Sequence, residues 1–107
     1  MPFPPERNHK VPLETAAALT ARYRETAPKG SQFGCMFPRE VFERLLAQPG
    51  AAGIRIYWGR SEMRERETVL VAVDAESNDM TGGELFDLGY PCPPYCGGEG
   101  GSVLSGE

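Results

Sequence analysis

The chain has 107 residues, 40% of them hydrophobic and 24% charged, and 11 basic against 15 acidic side chains leave a net charge of −4. That length suits one domain burying roughly 60–70% of its unfolded surface, and the acidic balance lacks the basic face of a nucleic-acid binder. No run reaches the ~20 apolar residues of a membrane span, and Met1 to Lys10 hold no apolar stretch of signal-peptide length, so the expected setting is the cytoplasm, with neither nucleic acid nor membrane as partner.

Residues 1–11 read as a flexible, Pro-rich arm, extended where prolines force it. His9, the only histidine, lies in that arm and reads as solvated. Pro12 suits the start of a helix, where its missing N–H is not needed, and Glu14 complements the helix dipole. The helix then runs from Leu13 to Thr26, with a small-residue stripe of Ala16, Leu19, Thr20 and Tyr23, until Pro28 and Gly30 end it. Residues 29–36 read as a loop. Pro38 opens a second helix whose apolar side is Val41, Phe42, Leu45 and Leu46, and Gln48-Pro49-Gly50 stops it.

The stretch from Gly53 to Asp74 is the strongest signal. Ile54, Ile56 and Trp58 alternate with Arg55 and Tyr57, a strand pattern, and the following run from Thr68 to Asp74 is apolar at nearly every position. A strand apolar on both faces is buried on both, and a lone hairpin is marginal in water, so other elements must cover this pair. The charged connection 60–67 carries no tight-turn dipeptide, and 74–79 is an acidic turn with only a weak likeness to a calcium loop, lacking glycine at the sixth position. Leu85, Phe86 and Leu88 are expected to close over the sheet.

These elements predict an α+β fold: two helices packed on a small, mostly antiparallel sheet centred on a β-hairpin of residues 53–59 and 67–74, with a Pro/Cys C-terminal strap. The organisation expected is a flexible arm over 1–11, a single α+β domain over 12–97 and a flexible Gly-rich tail over 98–107.

Several segments carry a resemblance in this order: Phe37-Pro-x-x-x-Phe-x-x-x-Leu-Ala-Gln-Pro-Gly50, Gly53-Ile-Arg-Ile-Tyr-Trp-Gly59, Val69-Leu-Val-Ala-Val-Asp74, Asn78-Asp-Met80 and Cys92-Pro-Pro-Tyr-Cys96. Over residues 12–97 the chain resembles a group of short, uncharacterised bacterial proteins that end in a Cys-Pro-Pro-x-Cys segment. That resemblance implies no activity, and Cys35 and the glycine-rich end beyond Gly97 fall outside it.

Enzymatic machinery of the common kinds is not visible. His9 stands far from any serine motif, and Gly97-Gly-Glu-Gly-Gly lacks the lysine and the strand–helix context of a phosphate loop. The cysteines are the remaining constellation. Cys92 and Pro93 each precede a proline, which pushes them towards extended geometry, and such a segment rises about 12 Å over four residues. A disulfide needs Cα atoms within about 7 Å, so Cys92 and Cys96 can meet only if a cis proline or a turn folds the segment back. Four readings stay open: small buried hydrophobes in a rigid strap, a disulfide (internal or to Cys35), a metal site of Cys92, Cys96 and Cys35, or redox catalysis. No cofactor is expected, and zinc is the ion such a thiol set would take.

Two classes of function follow. One is a non-enzymatic binding or self-assembly module that meets a protein partner or another copy of the chain through Arg55 and Tyr57, residue types favoured at interface cores. The other is a thiol-dependent metal-binding or redox protein that uses the Cys-Pro-Pro-Tyr-Cys segment.

Overall fold

The computed structural model describes residues 1–4, 6–98 and 101–106; Pro5, Glu99, Gly100 and Glu107, in the arm and tail read as flexible, lie outside them. The fold is α+β: two helices, α1 (Leu13–Thr26) and α2 (Arg39–Ala47), with strands β1 (Gly34–Met36), β2 (Gly53–Arg60), β3 (Arg66–Val73), β4 (Leu85–Phe86) and β5 (Tyr90–Cys92). All pairing is antiparallel, in a three-stranded sheet ordered β2-β3-β4 and a two-stranded sheet of β1 and β5. The chain gathers into two compact units, one of Met1–Glu6 with Phe37–Gly89, the other of Arg7–Met36 with Tyr90–Glu107.

The first unit is organised around β3. Its last four residues, Leu70 to Val73, are buried although they point alternately to opposite faces of the sheet. Leu70 and Ala72 form the core with Leu45 of α2, and Phe37, Val41, Ala51, Ile54, Met80 and Phe86 pack around them. Leu45 alone of the helix is fully buried; Phe42 and Leu46, expected beside it, are exposed because a helix of nine residues on a narrow sheet has room to bury only one line of side chains.

Strand β2 pairs with β3 along its whole length, from Gly53 opposite Val73 to Arg60 opposite Arg66. The charged connection is an ordered loop: Ser61 N donates to Glu65 O (2.8 Å), Arg64 N to Ser61 O (2.9 Å) and Glu65 N to Ser61 Oγ (3.1 Å). The third strand is short, Leu70 facing Phe86 and Val71 facing Leu85. The end of α2 is tied to it through Gln48, whose Nε2 donates to Leu45 O and whose Oε1 accepts from Glu84 N, both at 3.0 Å. A Cβ at Gly83 would meet that Gln48 oxygen, so a side chain there would have to displace the Gln48 amide from its bond to Glu84 N. Arg44 bonds to Glu84 and lies over the Phe86 ring, 5.7 Å from its centroid.

The second unit is built differently. Residues 34–36, read as loop, form β1 against β5, with Gly34 opposite Cys92 and Met36 opposite Tyr90. The Cys-containing segment thus joins a strand of its own unit, and the hairpin's third strand is 85–86 instead. No residue of α1 is buried, and Leu19, expected on its apolar stripe, is exposed. Residues 101–106 make a local turn in which Ser105 N donates to Ser102 O (3.1 Å), and Arg24 Nη1 donates to Leu104 O (2.7 Å). Among the described residues no helix is long and apolar enough to cross a membrane.

Leu45 is the one fully buried helical side chain against Leu70 and Ala72, with Val41 beside it. Leu45→Ala is therefore expected to cost about 2–5 kcal/mol, as cavity-forming substitutions of core leucines do, and urea denaturation measures it.

Candidate functional site

Strand β2 presents two different faces and an edge. On the face away from α2, Arg55 and Tyr57 converge on one carboxylate. Arg55 Nη1 lies 2.5 Å from Asp79 Oδ1, Tyr57 Oη donates to Asp79 Oδ2 at 2.5 Å, and Arg55 Nη2 donates to Ser77 O at 3.2 Å. The backbone places Asp79 there through its bridge to Val73 and the bond from Met80 N to Ala72 O (2.9 Å). The hydrogen bond from Tyr57, followed by that from Arg55, holds the Asp79 carboxyl below the usual carboxylate range. Both residues named from the sequence as interface candidates therefore have their polar ends engaged within the unit, while Tyr57 as a whole stays 45% exposed.

The acidic turn leading to Asp79 closes on itself. Asp74 Oδ1 accepts from Glu76 N and Asn78 N, each at 2.9 Å, and Asn78 Nδ2 donates to Oδ2 at 3.3 Å. The Asn78 backbone bond leads in lowering the Asp74 pKa. This is an Asx-type turn whose carboxylate is spent on local amides. Among the described residues no three His, Cys, Asp or Glu side chains are grouped to hold a metal ion.

The opposite face carries Ile54, Ile56 and Trp58. Ile54 packs on the core, but Ile56 is 52% and Trp58 73% exposed, with the Arg66 guanidinium 5.6 Å from the Trp58 ring centroid. The backbone beside them is open as well. Bonded and non-bonded pairs alternate along an antiparallel ladder. The bond from Ser61 N to Glu65 O, in register with the strand pair, assigns the odd-numbered residues of β2 to bond β3. Ile54, Ile56 and Trp58 thus turn their N–H and C=O groups outwards, on the side where the sheet order β2-β3-β4 ends.

In the second unit, Cys92 and Cys96 are joined by a disulfide with Cα atoms 4.8 Å apart, and both the Cys92–Pro93 and Pro93–Pro94 peptide bonds are cis. The segment turns back on the bonds from Tyr95 N to Pro91 O and from Cys96 N to Pro94 O, both 2.9 Å, and the Tyr90 and Tyr95 rings meet edge-on at 5.4 Å. Of the readings open from the sequence, the structure takes the internal disulfide. Cys35 is a free, exposed thiol on β1, opposite Pro91. The three cysteines named as a zinc set are thus two bonded sulfurs and one thiol on the neighbouring strand. Adjacent ladder positions point to opposite faces, so Cys35 faces away from Cys92, which pairs with Gly34.

No protein-family model, curated protein or solved structure matches the chain.

The carboxylates divide by sign. Asp79 and Asp74, with lowered pKa values, contribute stability that is present above the unfolded carboxylate pKa and lost as the pH falls through their folded values. Glu67 is raised, first by its hydrogen bond with Asp87, so its contribution is present at low pH and lost as the pH rises through its folded value. Urea midpoints between about pH 7 and pH 3 test both signs. Asp79→Asn is expected to melt earlier than wild type at pH 7 and to converge with it in acid, whereas Glu67→Gln is expected to gain at pH 7 and lose that gain in acid.

Ring closure over so few residues is expected to contribute about 2 kcal/mol to the second unit. Reduction should add two titratable thiols to that of Cys35 and speed amide exchange at Phe33, whose N–H donates to Cys92 O (2.7 Å), and at Tyr95 and Cys96.

Proposed function

We propose that the chain is a small non-enzymatic protein-binding module, and that its contact surface is the open edge of β2 with the apolar stripe of Ile54, Ile56 and Trp58. The observation that carries this reading is the coincidence of the two features on the same residues: each turns unpaired backbone groups outwards, and the two beyond the core are more than half exposed. An extended segment laid along such an edge gains main-chain hydrogen bonds, while alternate side chains supply specificity. The Arg55–Asp79–Tyr57 cluster supports the surface from behind, because it anchors the other face of the same strand to the 74–79 turn. A net charge of −4 favours a protein over a nucleic acid as partner, in a cytoplasmic setting.

A second reading keeps the thiol class. It rests on one observation, that a disulfide and a free exposed cysteine share the second unit; in this reading an external dithiol reduces the Cys92–Cys96 bond, leaving as its own disulfide, and the two freed thiols are the pair that takes zinc. Free-thiol titration with elemental analysis separates the two, since one free thiol and no metal before and after mild dithiol treatment removes the second.

Trp58 is the only tryptophan and reports on the first reading directly. A lysine-flanked, strand-forming peptide of alternating valine and threonine is expected to shift its emission to the blue, saturably. In Ile56→Pro the outward N–H is lost while the β3 bonds of its neighbours are kept, and the shift should disappear. Emission of the monomeric chain that ignores the peptide at any soluble peptide concentration overturns the proposal.

A further inference from the structure

Resting on that reading of the β2 edge, we propose that its occupant is a second copy of this chain: two β2 strands pair antiparallel about Ile56, joining two three-stranded sheets into one of six. An antiparallel partner must offer outward-facing backbone groups at the alternate positions where β2 offers its own, and β2 meets that demand against itself. The choice of register follows from its side chains. Centred on Ile56, the pairing sets Ile56 against the partner's Ile56 and Ile54 against the partner's Trp58, so the exposed stripe is met by an identical one. On the other face Arg55 falls opposite the partner's Tyr57, and each brings its bonded Asp79, so positive and negative groups alternate across the junction.

The neighbouring registers lack this match. Centred on Arg55, two guanidinium groups face each other directly, an arrangement that destabilises a cross-strand pair. Centred on Tyr57, Arg60 is set against Ile54 and the apolar stripe is broken. No proline interrupts β2 between Gly53 and Gly59, and its one charge there, Arg55, is neutralised by Asp79 of its own unit, whereas proline and unpaired charge are the usual devices against edge pairing. The strand is therefore open to its own kind, in one register above the others.

Sedimentation equilibrium of the full chain from about 5 to 500 µM, a span that brackets weak interfaces of this size, is expected to show a reversible monomer–dimer equilibrium. Ile56→Lys and, at the more exposed position, Trp58→Lys should each weaken it at least tenfold while keeping the far-ultraviolet spectrum of the wild type. In a mixture of labelled and unlabelled chains, an intermolecular Hα–Hα contact between Arg55 and the partner's Tyr57 marks the register. A chain that stays monomeric throughout, or a dimer untouched by both lysines, overturns the proposal. If the monomer still binds the valine–threonine peptide, only the self-pairing falls; if it binds nothing, the binding module falls with it.

Discussion

Burial of β3 on both faces is the constraint on which the first unit depends. Leu70 and Ala72 on one side and Val71 and Val73 on the other cannot all be shielded by one layer. Leu45 and its neighbours close the first side. On the second side, Arg55 and Tyr57 reach across the pleat to Asp79, and the turn that carries Asp79 is itself clamped by Asp74. A polar cluster here does the positioning that an apolar layer does on the opposite face. Because its carboxylate accepts from both partners, none of the three is left with an unmet charge or hydroxyl at the sheet surface.

What could be read from the sequence was local. The hairpin's alternation and the helix from Leu13 to Thr26 stand in the structure within a residue of where periodicity puts them, since both signals repeat over many positions. Strand β1 could not be read in this way: Gly34-Cys-Met36 is too short to show a period, and only its pairing with residues distant in the chain makes it a strand. Asp79 escaped for the same reason, lying 22 residues beyond the tyrosine that donates to it. One signal was available, an aspartate closing the turn-forming Asp74-Ala-Glu-Ser-Asn stretch directly after the second strand of the hairpin. The cysteine segment lies between these cases. The rule that extended prolines keep Cys92 and Cys96 apart stated what would have to give way, and the structure folds the segment back at that place.

The second unit shows what a chain does without a core. Among its described residues none is buried to the degree of Leu45 or Leu70, so apolar transfer cannot be its main source of order. Its organisation comes from a three-residue ladder, backbone turns, a tyrosine pair and a covalent link. Small scaffolds with little apolar area to bury commonly depend on such staples. A disulfide within one turn constrains few residues, but here those residues include the one that pairs with Gly34 and accepts from Phe33. The link therefore acts on the ladder as well as on the turn.

The two sides of β2 are engaged differently. Its odd-numbered side chains are engaged by an internal carboxylate and its odd-numbered backbone groups by β3, whereas beyond Ile54 its even-numbered side chains and backbone groups face outwards together. Period two makes this separation automatic in any strand; what is particular to this one is that the outward set is apolar. A solvated edge is ordinarily guarded by charge, but Arg55 is paired with Asp79 on the other face, and Arg60 stands only at the far end, beyond Gly59. An exposed isoleucine and tryptophan carry a standing cost in water, and a strand laid along them removes it while exchanging the water bonds of the edge amides for main-chain bonds.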